Sequence, residues 1–199
     1  MCIACTQLDN YGYNERKKKR VLIEWIDFLR TNTRVFNAVH FNSCVPQALF
    51  DAVCCQENLE ELRFKWGTYS DLSALGNLKN IKFLYIGSGA KVQDITMLKN
   101  LKTLVVLHVE NFKKIQDYSV LVALNKLEQL IISGPMLGVT PIKDLDFLPE
   151  MQKLLSFWNP DTTIRKKYTP EEFAALRAAI PNVYTINNCM SIRKANKSL

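Results

Sequence analysis

The chain has 199 residues, of which 48% are hydrophobic, and this combination favours a packed globular domain over a disordered chain. No stretch approaches the roughly 20 consecutive apolar residues that a membrane-spanning helix requires, so we expect no membrane partner. The net charge of +7 sits at the two ends, because residues 21–188 carry 18 basic and 17 acidic groups. A folded nucleic-acid reader usually gathers its charge on one face, so nucleic acid is a disfavoured partner.

The first residues, 1–13, lack the apolar run of a secretory signal, and we therefore expect a cytoplasmic protein. Cys2 and Cys5 have the two-residue spacing of a zinc or redox pair. A structural zinc site would need a second pair at suitable spacing, and the other cysteines do not supply one. The sequence therefore predicts no metal site and no cofactor.

Residues 15–30 form the first predicted helix, which we expect to seal the N-terminal end of the domain. Its apolar side chains recur at helical spacing on one face: Leu22, Trp25, Ile26 and Leu29. The basic run Arg16–Arg20 opens this helix. Such a run is typical either of a solvated helix face or of a nucleic-acid patch, and we favour the solvated face.

An internal repeat follows the helix. The pattern of residues 75–86 recurs at 98–109 and again at 121–132, with an offset of 23 residues each time. An acidic residue leads each copy at the same phase: Asp71, Asp94 and Asp117. Fainter copies extend the pattern in both directions, and together they predict strands that begin near residues 36, 59, 81, 104, 127, 151 and 183.

The unit L-x-x-L-x-L resembles the leucine-rich-repeat family over residues 34–188, and its central copies are similar to the short-repeat internalins and the protein-phosphatase regulatory subunit. The first copy, with a predicted helix over 46–55, is more similar to the ribonuclease-inhibitor class. The resemblance implies an α/β solenoid with about seven parallel strands on its concave face, helices and 3-10 turns on its convex face, and a helical N-terminal cap.

The C-terminal end of the stack is predicted from its own capping signal. Thr169 to Glu172 reads Thr-Pro-Glu-Glu, a capping box with proline at the first helical position. We expect one domain over 1–199, with repeats at 34–168, a capping repeat at 169–188 and a basic tail at 189–199.

Side chains at the third, fifth and seventh positions of each copy are predicted to point out of the concave sheet, with Tyr85 beside His108. They form an apolar strip with a polar rim, and exposed apolar strips usually mark an interaction site. The predicted partner-binding residues are His40, Glu61, Arg63, Lys65, Phe83, Tyr85, Val106, His108, Glu110, Ile131, Lys153, Leu155 and Phe157.

Catalysis is disfavoured by the predicted geometry. His40 and His108 fall three strands apart, roughly 14 Å at about 4.8 Å per strand, so they cannot act on one atom. Cys189 falls equally far from His108, which rules out a cysteine–histidine pair. The sequence therefore predicts no catalytic residue and a protein that is not an enzyme.

The resulting hypothesis is a binding module, monomeric or weakly dimeric, that holds a protein or peptide on its concave face. Two alternatives stay open: an inhibitor or immunity-type protein that blocks a toxin or enzyme, and a basic scaffold that contacts nucleic acid through its termini. The same strip could also be covered by a second copy or by the chain's own tail, or belong to an inert sheet, because strands favour aromatic residues in any case.

Overall fold

The computed structural model describes residues 1–186, and its main feature is an eight-stranded, all-parallel sheet. The strands stand in sequence order and run β1 (Cys2–Ile3), β2 (Ala38–Phe41), β3 (Glu61–Phe64), β4 (Phe83–Ile86), β5 (Val106–Glu110), β6 (Gln129–Ser133), β8 (Ser156–Trp158) and β10 (Tyr184–Ile186). The predicted α/β repeat solenoid is therefore confirmed. The tail prediction, 189–199, and the end of the capping repeat, 187–188, lie outside the described residues.

Helices and a second, smaller sheet return the chain from the end of each strand to the start of the next. The α-helices are α1 (Glu15–Thr31), α2 (Gln47–Val53) and α3 (Pro170–Ala179). Short 3-10 helices cover Asp9–Tyr11, Ser73–Asn77, Thr96–Asn100, Ser119–Ala123 and Leu148–Glu150. Strands β7 (Thr140–Ile142) and β9 (Thr162–Ile164) form a two-stranded parallel sheet.

Strands and 3-10 turns both follow from the spacing of leucine. In the central strands burial alternates residue by residue, so Leu84 and Ile86 are fully buried while Phe83 and Tyr85 are half-buried. In the preceding turns apolar residues recur every third position, and a 3-10 helix places such residues on one side. Each repeat buries its leucines against the next repeat, which makes one continuous core from Ile3 to Val183.

The acidic residue that leads each central copy stabilises the start of a 3-10 turn. Asp71 Oδ1 accepts a hydrogen bond of 2.8 Å from the backbone N–H two residues on, and Asp94 and Asp117 accept equivalent bonds of 2.7 and 2.9 Å. Hydrogen bonds from the hydroxyls of Ser73 and Ser119 lower the pKa of Asp71 and Asp117 most, and the backbone bond from Thr96 lowers that of Asp94 most, so all three carboxyls stay below the usual range. The repeated acid is thus a structural element of the turn.

The N-terminal cap contains one strand that the sequence did not reveal. Asn14 is the N-cap of α1, and its side chain accepts a hydrogen bond of 2.9 Å from the backbone N–H of Lys17. The helix buries Leu29 completely. Ahead of it, β1 pairs in parallel with β2 and adds an eighth strand to the predicted seven. Because β1 has two residues, it is too short to display the alternation by which strands are recognised.

The strand predicted to begin at 151 is shifted, and an insertion explains the error. Ser156 pairs with Gln129, so this copy begins at Leu154, three residues later than predicted. In the two preceding copies a buried aliphatic residue stands 11 positions after the start, whereas Ile142 stands 15 after Leu127. The four additional residues lie in the segment 134–139, directly after β6.

The last copy, predicted to begin at 183, begins one residue earlier than predicted. Tyr184 pairs with Ser156 and therefore takes the third position that the prediction gave to Thr185, which pairs with Phe157. The capping box predicted for α3 forms, with reciprocal hydrogen bonds between Thr169 and Glu172 of 2.8 and 3.2 Å.

Two buried tyrosines give a matched prediction about stability. Tyr118 is 1% exposed and stands where other copies have Leu72 and Ile95, and its hydroxyl has no hydrogen-bond partner among the described residues. Tyr69 is equally buried, but its hydroxyl donates to the Gly87 carbonyl. We expect Tyr118→Phe to leave stability unchanged or raise it, and Tyr69→Phe to lower it by about 0.5–1.5 kcal/mol, in urea denaturation.

If Tyr118→Phe proves the more damaging change, the hydroxyl of Tyr118 has a polar partner and its environment is different from the one described.

Candidate binding face

The candidate site is the outward face of the main sheet, which we call the binding face: the third, fifth and seventh positions of β2–β6 and β8. At its centre Tyr85 and His108 are direct partners in the β4–β5 register. Their rings stack with centroids 4.4 Å apart and an interplanar angle of 16°. Both side chains are half-buried and point away from the core, as predicted from the 23-residue phase.

Hydrogen bonds hold this stacked pair from the ends of β5 and β6. His108 Nε2 shares a hydrogen bond of 2.8 Å with Ser133 Oγ, and the Tyr85 hydroxyl donates to Glu110 Oε2. Burial lowers the pKa of His108 to about 4, so the imidazole is neutral at neutral pH. Burial, reinforced by the bond to Glu110, raises the pKa of Tyr85. The centre of the face therefore presents two rigid, uncharged rings.

The N-terminal part of the binding face is polar and charged. Glu61 Oε1 accepts from His40 Nε2 at 3.0 Å and from Arg63 Nε at 2.6 Å. Although burial alone would raise the pKa of Glu61, these hydrogen bonds hold it below its ordinary value. Arg63 also lies over the Phe83 ring at 4.1 Å, which links the ionic network to the aromatic centre. Lys65 is exposed at the rim.

The C-terminal part of the face is apolar, but its residues differ from those predicted. Phe157 is 1% exposed and belongs to the core, so its predicted place on the face is wrong. Leu155 and Lys153 are exposed but precede β8, so neither occupies the outward strand position assigned to it. The four-residue insertion before β8 gives this copy a spacing of 27 residues from Leu127, whereas the predicted start at 151 used a spacing of 24, so every predicted position in it stands three residues too early.

Trp158 and Tyr184 stand in their place, and sequence reasoning missed both. Trp158 pairs with Ile131 and is 36% exposed, and Tyr184 is 69% exposed. The sequence contained the information needed to find them. Aligning Ile142 with Val92 and Ile115, the buried aliphatic residues of the two preceding copies, locates the insertion and gives the correct register for β8.

The predicted ladder is otherwise reproduced across the sheet. His40, Arg63, Tyr85, His108 and Ile131 occupy successive paired positions, with Ala38, Glu61, Phe83, Val106 and Gln129 in the adjacent row. Glu110 and Ser133 pair at the seventh position. The face thus passes from an ionic end, through a stacked aromatic centre, to an apolar end.

The arrangement offers little for nucleophilic chemistry. Ser133 and His108 are within hydrogen-bond reach, a contact the sequence did not suggest, but Ser133 is only 8% exposed. Glu110, the carboxylate of this cluster, bonds to Tyr85, so the serine–histidine–carboxylate order of a catalytic triad is not formed. His40 is three strands away on β2, and Cys189 lies outside the described residues.

Residues 1–186 provide neither a cluster of metal-binding side chains nor a helix able to span a membrane. Within this range no group of three or more histidine, cysteine, aspartate or glutamate side chains is placed to hold a metal ion. None of the helices in the same range combines the length and apolar character needed to cross a bilayer.

Solved structures with the same architecture show what this fold is similar to. An internalin, inlF, from Listeria monocytogenes superposes with a TM-score of 0.54 at 18% identity, covering 82% of this chain and 58% of that one. The plant peptide hormone receptor RGFR1, solved in complex with RGF2, gives a TM-score of 0.50 at 15% identity, covering 70% of this chain and 22% of the receptor. A second Listeria monocytogenes internalin, inlC2, gives 0.46 at 18% identity, covering 81% and 73%.

The chain therefore spans little more than half the length of inlF. No protein-family model matches the sequence, and no curated protein does. Parallel strands in sequence order, one per repeat, agree with the structural likeness, and the chain has the fold of the leucine-rich-repeat solenoids.

Proposed function

We propose that the protein is a non-enzymatic binding module that holds a protein or peptide on its binding face. The observation that carries this proposal is the stacked Tyr85–His108 pair, continuous with Ile131 and Trp158 on the open side of the sheet. Aromatic side chains that are already fixed lose little entropy on binding and are typical anchors of interfaces. Repeat solenoids offer such a surface because each repeat adds one strand to it.

The two ends of the face define what a partner would present. An apolar or aromatic segment would lie over Val106, Ile131 and Trp158, where water is easily displaced. A charged or strongly polar segment would meet Glu61 and Arg63, whose ionic network is already formed. The partner would therefore be a protein or peptide with an apolar stretch and a polar end. The plant peptide hormone receptor, whose structure holds RGF2 in complex, is consistent with this use of the fold.

The test compares what wild type and face variants recover from the native host. We expect Tyr85→Ala/His108→Ala, and separately Trp158→Ala, to lose at least one protein that wild type retains, by about tenfold or more. Tyr11→Ala is the matched control, because Tyr11 is 66% exposed and lies outside the sheet. It should recover the same proteins as wild type. Equal recovery by all four proteins would refute binding on this face.

The same experiment separates the alternatives. A basic scaffold that contacts nucleic acid through Arg16–Arg20 and 165–167 would lose binding steeply between about 50 and 200 mM salt, whereas an apolar strip would retain it. The third basic segment of that alternative, 193–197, lies outside the described residues. A recovered partner that is an enzyme or toxin, and that loses activity in the complex, would identify an inhibitor.

Compartment and oligomeric state belong to the same proposal. We infer a cytoplasmic protein that is monomeric or weakly dimeric. Cys5 and Cys54 are buried thiols that form no disulfide within residues 1–186, and burial raises the pKa of both, which suits a reducing compartment. Cell fractionation and analytical sedimentation check the two statements directly.

A further inference from the structure

The structure points to a second contact surface, separate from the binding face: we propose that the loop edge of the solenoid docks on an anionic membrane surface. We define the loop edge as the loops that follow β4, β5 and β6, namely 88–91, 111–114 and 134–139. This is a peripheral contact and needs no spanning segment. It revises our expectation of no membrane partner, which rested on the lack of a membrane-length apolar stretch.

The first observation is the apolar tip made by the inserted residues. Met136 is 93% exposed and Leu137 is 85% exposed, the highest values among the exposed large hydrophobic side chains of the described residues, and Val139 is 56% exposed. The insertion interrupts an otherwise regular repeat and places these side chains in solvent. Water-exposed apolar side chains at a protruding loop are unfavourable unless another apolar phase receives them.

Glycine residues shape the base of this tip. A Cβ on Gly134 would come within 1.8 Å of the Asp161 carbonyl oxygen, so only glycine fits where the loop leaves β6. Gly138 has a φ of +104°, a conformation that other residues rarely adopt. The loop is also anchored on both sides, by hydrogen bonds of 2.9 Å from Gly134 N to Pro160 O and 3.0 Å from Thr140 N to Asp161 O. The exposure of the tip is therefore a built feature of the fold.

The second observation is the charge around the tip. On the β5 side lies the segment 111–116, joined to the inserted copy by the bonds Asn111 N to Ser133 O and Lys143 N to Gln116 O, both 2.8 Å. It carries Lys113 and Lys114, which are exposed and form no ion pair within residues 1–186. Lys91 stands at the position of Lys114 in the preceding copy and is likewise exposed. The loops 88–91 and 111–114 contain no acidic residue.

On the other side of the tip the basic character continues. Arg165 lines a shallow depression together with Val139 and Pro141, and its backbone N–H donates to Ile142 O over 2.8 Å. Across the segments 111–117, 134–146 and 160–167 there are six lysine or arginine residues and four acids, Asp117, Asp144, Asp146 and Asp161. Because Lys143 and Lys166 are paired with acids of this group, the basic side chains left without an ion pair within residues 1–186 are Lys113, Lys114, Arg165 and Lys167.

This combination matches an anionic bilayer better than a protein. Basic side chains near an anionic leaflet are attracted by its surface potential, while a short apolar tip enters the interface between headgroups and acyl chains. Because the Met136 and Leu137 side chains are almost fully exposed, a folded protein would have to enclose them in a hollow of complementary shape, whereas a bilayer accepts them without one. An acidic, apolar protein surface is the competing occupant, and it would give no vesicle binding.

The test is flotation of the full chain with vesicles of phosphatidylcholine alone or with about 30% phosphatidylglycerol, at low and physiological salt. We expect binding to the anionic vesicles only, weakened by salt. Met136→Ser/Leu137→Ser should reduce the bound fraction about tenfold or more, and Lys113→Gln/Lys114→Gln several-fold. Both pairs are surface changes away from buried contacts, so the fold should survive them.

Two control variants keep the result interpretable. Ile23→Ser removes an apolar side chain that is 46% exposed on α1, and Lys99→Gln/Lys126→Gln removes two exposed lysines outside the loop edge. Both should bind anionic vesicles like wild type. Absence of binding to anionic vesicles at low salt, or binding that survives the loop substitutions, would overturn the proposal. Because Tyr85 and His108 are unchanged in every variant, failure here leaves the binding-face proposal untouched.

Discussion

Leu107→Ala is expected to lower the free energy of unfolding by about 2–5 kcal/mol. Leu107 is fully buried on β5, and it stands in register between Leu84 on β4 and Leu130 on β6. Truncation removes the hydrophobic transfer energy and leaves a cavity that the two neighbouring repeats cannot readily close. Because repeats are stabilised mainly by their neighbours, a central position loses contacts on both sides.

The measurement is urea denaturation followed by circular dichroism and tryptophan fluorescence, with Val106→Ala as the matched control. Val106 is adjacent to Leu107 but faces outward and is half-buried. We expect this control to lose less than about 1 kcal/mol. Losses of equal size in the two variants would mean that the alternation of β5 between core and open face is misassigned.

The core of the solenoid could be predicted from the sequence because each repeat satisfies the same constraints. Leucines at the first and fourth positions must be buried, and three copies in one phase fix the register of the parallel strands between them. The fold class and the Tyr85–His108 neighbours followed from that phase alone. The strand β1 could not be predicted, because it is too short to show periodicity. The start of the copy at Leu154 was misplaced, because that copy follows an insertion.

The chemistry of the site was less accessible than its location. That Ser133 would reach His108 and Glu110 would reach Tyr85 depends on β5 and β6 continuing one residue further than β4, to their seventh positions. Strand length at a sheet end is set by the loops that follow, and here an inserted loop follows β6. The largest error, Phe157 for Trp158, likewise came from that insertion. Sequence reasoning is least reliable where the repeat is broken, and each of the two proposed surfaces includes residues next to that insertion.

The titration of His108 gives the second large expected effect. Burial lowers its pKa to about 4 in the folded protein, whereas an unfolded chain has a value near about 6.5. Between these values the unfolded state binds a proton and the folded state does not, so stability rises with pH across this window. The contribution is complete above about pH 6.5 and is lost as the pH falls toward 4. From pH 7 to 4.5 we expect a loss of about 2 kcal/mol from this residue.

The experiment compares the pH dependence of unfolding in wild type and His108→Phe. Phenylalanine keeps a ring that can stack on Tyr85, but it cannot titrate. It also leaves Ser133 Oγ without its hydrogen-bond partner, which changes the stability of the variant by the same amount at every pH. The slope between pH 4.5 and 7 is therefore the informative quantity, and wild type should lose about 2 kcal/mol more than the variant. The other titratable groups at this site, Tyr85 and Glu110, are retained in both proteins.

Nuclear magnetic resonance of the imidazole separates this explanation from others. Wild type should show a neutral His108 at pH 6, where a solvated imidazole would be largely charged. A midpoint near 6.5, with equal slopes in the two proteins, would mean that water reaches the ring freely and that the stacked pair is not preorganised. In that case the aromatic centre of the binding face would not be the rigid, uncharged anchor on which the proposed recognition of a partner depends.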